Sequence, residues 1–175
     1  MNAGFSLQEV LIGAVIMLLM WAACLGSQLA ATQLLGESVS RSMLEEKAIF
    51  ATKDLAFDLR WAEGSSLLIT EENDADRVDL RTAVDYAEGE PVWSTPVSYR
   101  VEAAVRDTNG NGVLDDRRLV RIQDGVTRVL CDNVASAGFT AERAGDDLAL
   151  AVLLQKMHRG RWLTATANTT TSIRN

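Results

Sequence analysis

The side chains best spaced for chemistry lie in Asp107-Thr108-Asn109-Gly110-Asn111-Gly112-Val113-Leu114-Asp115-Asp116. Oxygen donors at alternate positions followed by a glycine make the opening of a calcium-binding loop, because a hard cation takes six or more oxygens and the glycine turns the chain sharply around it. Asp107, Asn109, Asn111, the Val113 carbonyl and Asp115 or Asp116 would supply most of a Ca²⁺ shell, with water completing it. The bidentate glutamate that closes such loops is missing, and Arg118 stands in its place. The competing reading is a hairpin tip in which Asn and Gly adopt left-handed conformations and the acids are solvated. No helical pattern flanks the loop, which excludes a true EF-hand.

Glu9 poses a different question. From Phe5 to Gly36 it is the only carboxylate or basic side chain, set at the head of an apolar run that continues to Leu25. An acid near hydrocarbon costs roughly 2.5 to 3.5 kcal/mol on insertion scales, so it needs a partner. The run contains no Lys, Arg or His to provide one. Other reactive side chains carry less. His158, the only histidine, stands in a predicted turn beside Lys156, Arg159 and Arg161. Cys131 lacks a thiolate-stabilising context and reads as a small core hydrophobe. Phosphate-binding loops, dinucleotide fingerprints, zinc spacings and nucleophile elbows are absent, so no catalytic residue is expected.

The elements that must carry these residues follow from periodicity. Val10 to Ala31 is interrupted by Ser27 and Gln28 alone and is long enough to cross a bilayer core of roughly 30 Å. After Gly36 the helical pattern continues but turns amphipathic. Leu35, Val39, Met43, Phe50, Leu55 and Leu59 recur at three- and four-residue spacing, which predicts that this face lies on a sheet. One helix from about Ser6 to about Ala62, about 85 Å long, is the simplest reading. Glu63-Gly64-Ser65-Ser66 supplies its stop, with Gly64 suited to a C-cap. Beyond it the pattern is that of short strands. Glu71 to Arg77 reads as a polar loop and Asp85 to Pro96 as irregular chain. Val97 to Val105, Arg117 to Ile122, Val126 to Leu130, Ala137 to Ala141, Leu148 to Leu154 and Trp162 to Thr166 read as strands joined by short turns. The expected class is α+β, a long N-terminal helix covering an antiparallel sheet.

Composition narrows the partners. With 24 acids against 17 Lys and Arg in 175 residues, the chain carries a formal net charge of −7. All its acids but Glu9 lie beyond residue 36, so the domain is acidic and a poor match for nucleic acid. Cys24 lies in the apolar run and Cys131 far along the domain, which predicts two unpaired thiols.

Gly4-Phe5-Ser6-Leu7-Gln8-Glu9-Val10-Leu11-Ile12, followed by the apolar run, resembles the N-terminal signature of type IV pilins and of the pseudopilins of type II secretion. The resemblance implies a pilin-like fold. It also implies a leader, residues 1–4, removed after Gly4 by a prepilin peptidase that methylates the new N-terminus at Phe5. Residues 5–31 would be the membrane and filament-core helix, 32–62 its amphipathic continuation and 63–175 a periplasmic antiparallel β domain. The acid matching Glu9 would pair with the freed amine of a neighbouring subunit, which supplies the partner the run itself lacks. The alternative is an uncleaved signal anchor with Glu9 at the headgroup level. Leaders of the family carry Lys or Arg before the glycine, and Met1-Asn2-Ala3-Gly4 has none. Either the true start lies elsewhere, or orientation rests on the apolar run and the uncleaved amine.

More narrowly, three stretches resemble the J-type minor pseudopilins and their PilW-like pilus relatives. They are Val97-Ser98-Tyr99-Arg100, Arg118-Leu119-Val120-Arg121 with Asp124-Gly125, and Leu130-Cys131-Asp132-Asn133-Val134 with Phe139. The terminal Ile173-Arg174-Asn175 is similar to the way many of those chains end. The implied partners are other pseudopilins or pilins, the peptidase, inner-membrane lipid and secreted cargo, with no nucleic acid. The implied place is the bacterial inner membrane, crossed once, and a periplasmic filament built from it. A membrane-tethered binding module, calcium-dependent through the Asp107 loop, is the other class of function.

Overall fold

The computed structural model describes residues 6–72, 74–104, 106–107, 111–113 and 116–173. Two compact units divide the chain, Met1–Val39 and Ser40–Asn175. A single helix, α1, runs over Leu7–Arg60. Within the first unit every residue from Leu7 to Leu35 is exposed. This helix is long and apolar enough to cross a membrane. The polar groups inside its apolar stretch are turned back onto the backbone: Ser27 Oγ donates to the Cys24 carbonyl at 2.8 Å and Thr32 Oγ1 to that of Leu29 at 2.9 Å. Such local bonds let hydroxyls sit in an apolar span without an unmet donor.

The second unit builds its core between the rest of α1 and an antiparallel sheet. Leu44, Ala48, Ala51, Thr52, Leu55, Ala56 and Leu59 are the buried helix residues. Leu44, Ala48, Ala51, Leu55 and Leu59 share one core with Val78, Leu80, Val97, Tyr99, Leu119, Phe139, Leu148, Leu150, Val152 and Leu154. Only two of the six residues of the predicted apolar face lie on the sheet. Leu55 and Leu59 are buried, but Leu35, Val39, Met43 and Phe50 are exposed. The sheet lies on the row that carries alanines. The larger row is left outside.

Ten strands follow: β1 (Leu68–Glu72), β2 (Ala75–Leu80), β3 (Ala83–Ala87), β4 (Glu90–Trp93), β5 (Val97–Ala103), β6 (Arg117–Gln123), β7 (Val126–Asp132), β8 (Val134–Ala144), β9 (Asp147–His158) and β10 (Arg161–Ser172). They form a five-stranded sheet in the order β1-β2-β5-β6-β7, a three-stranded sheet β10-β9-β8 and a small β3-β4 hairpin, with every pairing antiparallel. The sheets meet where β8 runs beside β2, and the Ala141 amide donates to Asp76 Oδ2 at 2.7 Å across the seam. The alternation in β5 and β9 is that of strands with one face in the core, Val97, Tyr99 and Val101 in one and Leu148, Leu150, Val152 and Leu154 in the other.

Several local expectations change. The polar stretch Glu71 to Arg77 is the tip of the β1-β2 hairpin rather than a free loop, with Glu72 paired to Ala75. Residues 85–96, read as irregular, hold most of the β3-β4 hairpin, where Tyr86 pairs with Pro91. A proline is tolerated there because a two-stranded ribbon has only edges. The stop of α1 is made by tightening and capture. Trp61 and Ala62 donate three residues back, to Asp58 and Leu59, after which Glu63 N donates to Arg81 O and Ala83 N to Trp61 O. His158 is the last residue of β9, half-buried, and not a solvated turn residue. The predicted turn at Asp124-Gly125 is in place, with φ of 52° and 74°, the pair of positive values that a tight hairpin of this hand requires. β8 and β9 lose register between Val134 and Phe139. In that bulge Gly138 cannot be larger, since a Cβ would lie 2.7 Å from the Ala135 nitrogen and oxygen and from the Leu153 oxygen.

A polar clasp fixes helix to sheet. Arg121 Nε on β6 donates to Asp58 Oδ2 on α1 at 2.8 Å and to the Tyr99 hydroxyl at 3.1 Å, while that hydroxyl donates to the same Asp58 oxygen. Burial, and then the neighbouring Asp58 carboxylate, hold the Tyr99 hydroxyl far above the ordinary tyrosine range. Burial pulls the Arg121 guanidinium down, but the hydrogen bonds and charge interactions with Asp58 and Tyr99 together offset it, and the net shift is upward.

Candidate functional site

Two regions hold the site residues expected from the sequence. At the start of α1, Ser6 and Glu9 form a reciprocal cap: Ser6 N donates to Glu9 Oε2 at 3.0 Å, and Glu9 N donates to Ser6 Oγ at 3.3 Å. This is the capping box of a Ser-x-x-Glu sequence, and it also sets a carboxylate against the positive end of the helix. The spacing Ser6-Leu7-Gln8-Glu9 carries this signal in the sequence, where the apolar run makes Glu9 read as an isolated charge. The cap gives that charge a local partner besides any neighbour's amine. Gly4 and Phe5, the expected processing residues, lie outside the described residues.

The Asp107 loop is the other region. Asp107 Oδ2 accepts the Gly112 amide at 2.8 Å, and Asn111 Oδ1 accepts the Val113 amide at 2.7 Å. Both acceptors thus fold the loop onto itself, as a turn needs. Asn109 and Asp115 lie outside the described residues. Val113 is exposed, whereas Asp116 is 4 % exposed, and its carbonyl accepts the Ala104 amide at 2.7 Å where β6 begins. Among the described residues no three His, Cys, Asp or Glu side chains group as metal ligands.

The thiols divide as their positions suggest. Cys24 is exposed on α1, and Cys131 is buried and unbridged. Burial, foremost, pushes the Cys131 thiol up to about 12. It is therefore protonated and a poor nucleophile at neutral pH.

Comparisons with protein-family models, curated proteins and solved structures find no match to the chain.

Proposed function

We propose that this chain is a structural subunit, a minor pseudopilin of a type II secretion-type filament. It is cut after Gly4, methylated at Phe5 and assembled through its N-terminal helix. Its place is the bacterial inner membrane, with the β domain in the periplasm until the subunit joins the filament. The observation that carries the reading is α1 itself. Its first part is apolar and wholly exposed, with Glu9 as the sole acid, and its last part is built into the core of an antiparallel domain. An exposed helix of that kind has two natural surroundings, lipid and other helices, and a pilin-like subunit passes from the first to the second. Glu9 would meet the freed amine of a neighbour on assembly, so that two charges costly in an apolar medium neutralise one another. Its partners on this reading are other pseudopilins, the prepilin peptidase and secreted cargo, and the chain performs no catalysis.

Replacing Glu9 tests the reading. Glu9→Ala and Glu9→Leu should leave the domain folded, with unchanged far-ultraviolet circular dichroism, and should lower incorporation into filaments. Normal incorporation of either variant would count against the pairing. A minor type IV pilin differs from this only in the machinery it joins, which neighbouring genes would identify. The other class of function is a calcium-dependent binding module that stays tethered to the bilayer, which the response of the Asp107 loop to Ca²⁺ tests.

A further inference from the structure

The chain treats its sheet edges unequally. β1, at one end of the larger sheet, is five residues long and ends in Glu71 and Glu72. β7, at the other end, is bulged opposite Leu119 and Val120, β8 carries the Val134–Phe139 bulge, and the β3-β4 ribbon holds Pro91. Short length, charge, bulges and proline are the devices that stop an edge strand from capturing another chain. β10, the free edge of the smaller sheet, has none of them from Trp162 to Ser172. Its 12 residues pair with β9 without a register shift, and after Arg161 none of them is charged.

Two backbone bonds tell which groups of β10 point outward. Ile173 N donates to the Asp146 carbonyl at 2.7 Å, and Gln155 N donates to the Asn133 carbonyl at 2.7 Å, away from β10. Bonded and non-bonded pairs alternate along an antiparallel ladder. Leu163, Ala165, Ala167, Thr169 and Thr171 therefore bond to β9, whereas Thr164, Thr166, Asn168, Thr170 and Ser172 turn N–H and C=O outward. The same outward residues are exposed, so the edge carries a neutral row of hydroxyls and one amide.

We propose that the outer edge of β10 takes up an extended, uncharged segment of a different polypeptide as an antiparallel strand added to the three-stranded sheet. A row of alternating donors and acceptors is matched by another extended backbone, and main-chain bonds then supply the affinity. The neutral threonine row selects β-branched and hydroxyl side chains across from it over charged ones. A second copy of β10 is the wrong occupant. Antiparallel pairing of two identical strands has its two-fold axis perpendicular to the sheet, which reverses every direction in the sheet plane, including that of the α1 segment packed on its face. The two copies would then enter their folded units, at Ser40, from opposite sides, a geometry that two chains anchored in one bilayer do not present. The inference goes beyond the assembly reading, from which it takes the shared membrane alone.

The test uses the full chain in zwitterionic detergent and a labelled peptide of about nine residues, alternating threonine and valine with a lysine at each end. A control peptide of the same charge has proline at its centre. Fluorescence anisotropy should show saturable binding of the first and about tenfold weaker binding of the second, which lacks a donor and cannot lie flat on the edge. Residue-resolved amide exchange should slow about tenfold at Thr164, Thr166, Asn168 and Thr170 when the peptide binds, and change little at Ala165 and Ala167, which already bond to β9. Thr166→Pro should abolish binding while shifting the melting temperature by less than about 3 °C, because the lost N–H faces outward. Thr166→Lys with Thr170→Lys should weaken binding about tenfold with the backbone left intact. Equal binding of the proline peptide, unchanged exchange at the four outward amides, or undiminished binding in the lysine variant would overturn the proposal. So would self-association that Thr166→Pro abolishes, since a second copy would then be the occupant. None of these results depends on whether residues 1–4 are removed, so this inference and the assembly reading fail separately.

Discussion

Removing Asp58 should cost far more stability than removing an exposed charge of α1. Asp58→Ala strands two groups at once, the Arg121 guanidinium and the Tyr99 hydroxyl, both of which use Asp58 Oδ2. Removing one partner of a fully buried ion pair costs about 3–5 kcal/mol. Here the Arg121 and Asp58 side chains keep 23 % and 17 % exposure, so water re-solvates part of the stranded cation and the lower end applies. Tyr99 is 0 % exposed, and among the described residues its hydroxyl then keeps Arg121, itself a donor, as hydrogen-bond partner. An unmet buried hydroxyl adds about 1–3 kcal/mol. Allowing for overlap between the two, the loss should be about 3 kcal/mol, a large part of a typical domain's stability. Urea unfolding in detergent, followed by tryptophan fluorescence, measures it as a lowered midpoint at unchanged slope. The exposed Arg41–Glu45 pair, 66 % and 48 % exposed, is the control, and Glu45→Ala should cost less than about 0.5 kcal/mol. Replacing both clasp charges with apolar groups, Asp58→Leu with Arg121→Met, should recover part of the loss. If Asp58→Ala matches the control, or the double variant is no better than the two singles summed, the clasp does not hold the helix to the sheet.

Two other outcomes follow from the titrating and oxygen-bearing groups. The folded-state Cys131 thiol is raised from 9.0 to about 12 and the Tyr99 hydroxyl is raised too, so the folded chain holds both protons after the unfolded chain has released them. Their contribution is fully present below about pH 9 and is lost as pH climbs through the alkaline range, so the urea midpoint should fall from pH 8.5 to pH 11, less steeply in Cys131→Ala. An equal slope in that variant would refute the thiol's part. If the Asp107 loop binds calcium, Ca²⁺ at about a hundred times its dissociation constant stabilises by about 2.7 kcal/mol, and the melting temperature should rise in the parent but not in Asp107→Ala. No rise at millimolar Ca²⁺ removes the metal.

Much of this architecture can be read from periodicity, because each buried strand shows its alternation openly. Val97-Ser98-Tyr99-Arg100-Val101 and the even positions from Leu148 to Leu154 could only be strands with one face inside. The single helix and the Asp124-Gly125 turn were equally plain. What stayed hidden had physical causes. The inner row of α1 is rich in alanine and carries Thr52, so counting large hydrophobes favoured the wrong side at Met43 and Phe50. Polar hairpins such as β1-β2, with Arg77 between Glu72 and Asp79 in ion pairs, have a surface composition and look like loop. At the candidate sites, the types of Glu9 and Asp107 stand out in the sequence, and the Ser-x-x-Glu spacing already carries the cap, but the bond that Asp107 accepts from the Gly112 amide shows only in the backbone geometry.

The central claim is that the apolar helix, with its one acid, belongs to a subunit trimmed at Gly4 to expose an amine at Phe5. Intact-mass and N-terminal fragment analysis of the chain purified from its own membrane tests this most directly. The account predicts a polypeptide beginning at Phe5 with a methylated amine, and the same chain longer by residues 1–4 when the peptidase is absent. A polypeptide that keeps those residues, whether or not the peptidase is present, would contradict it.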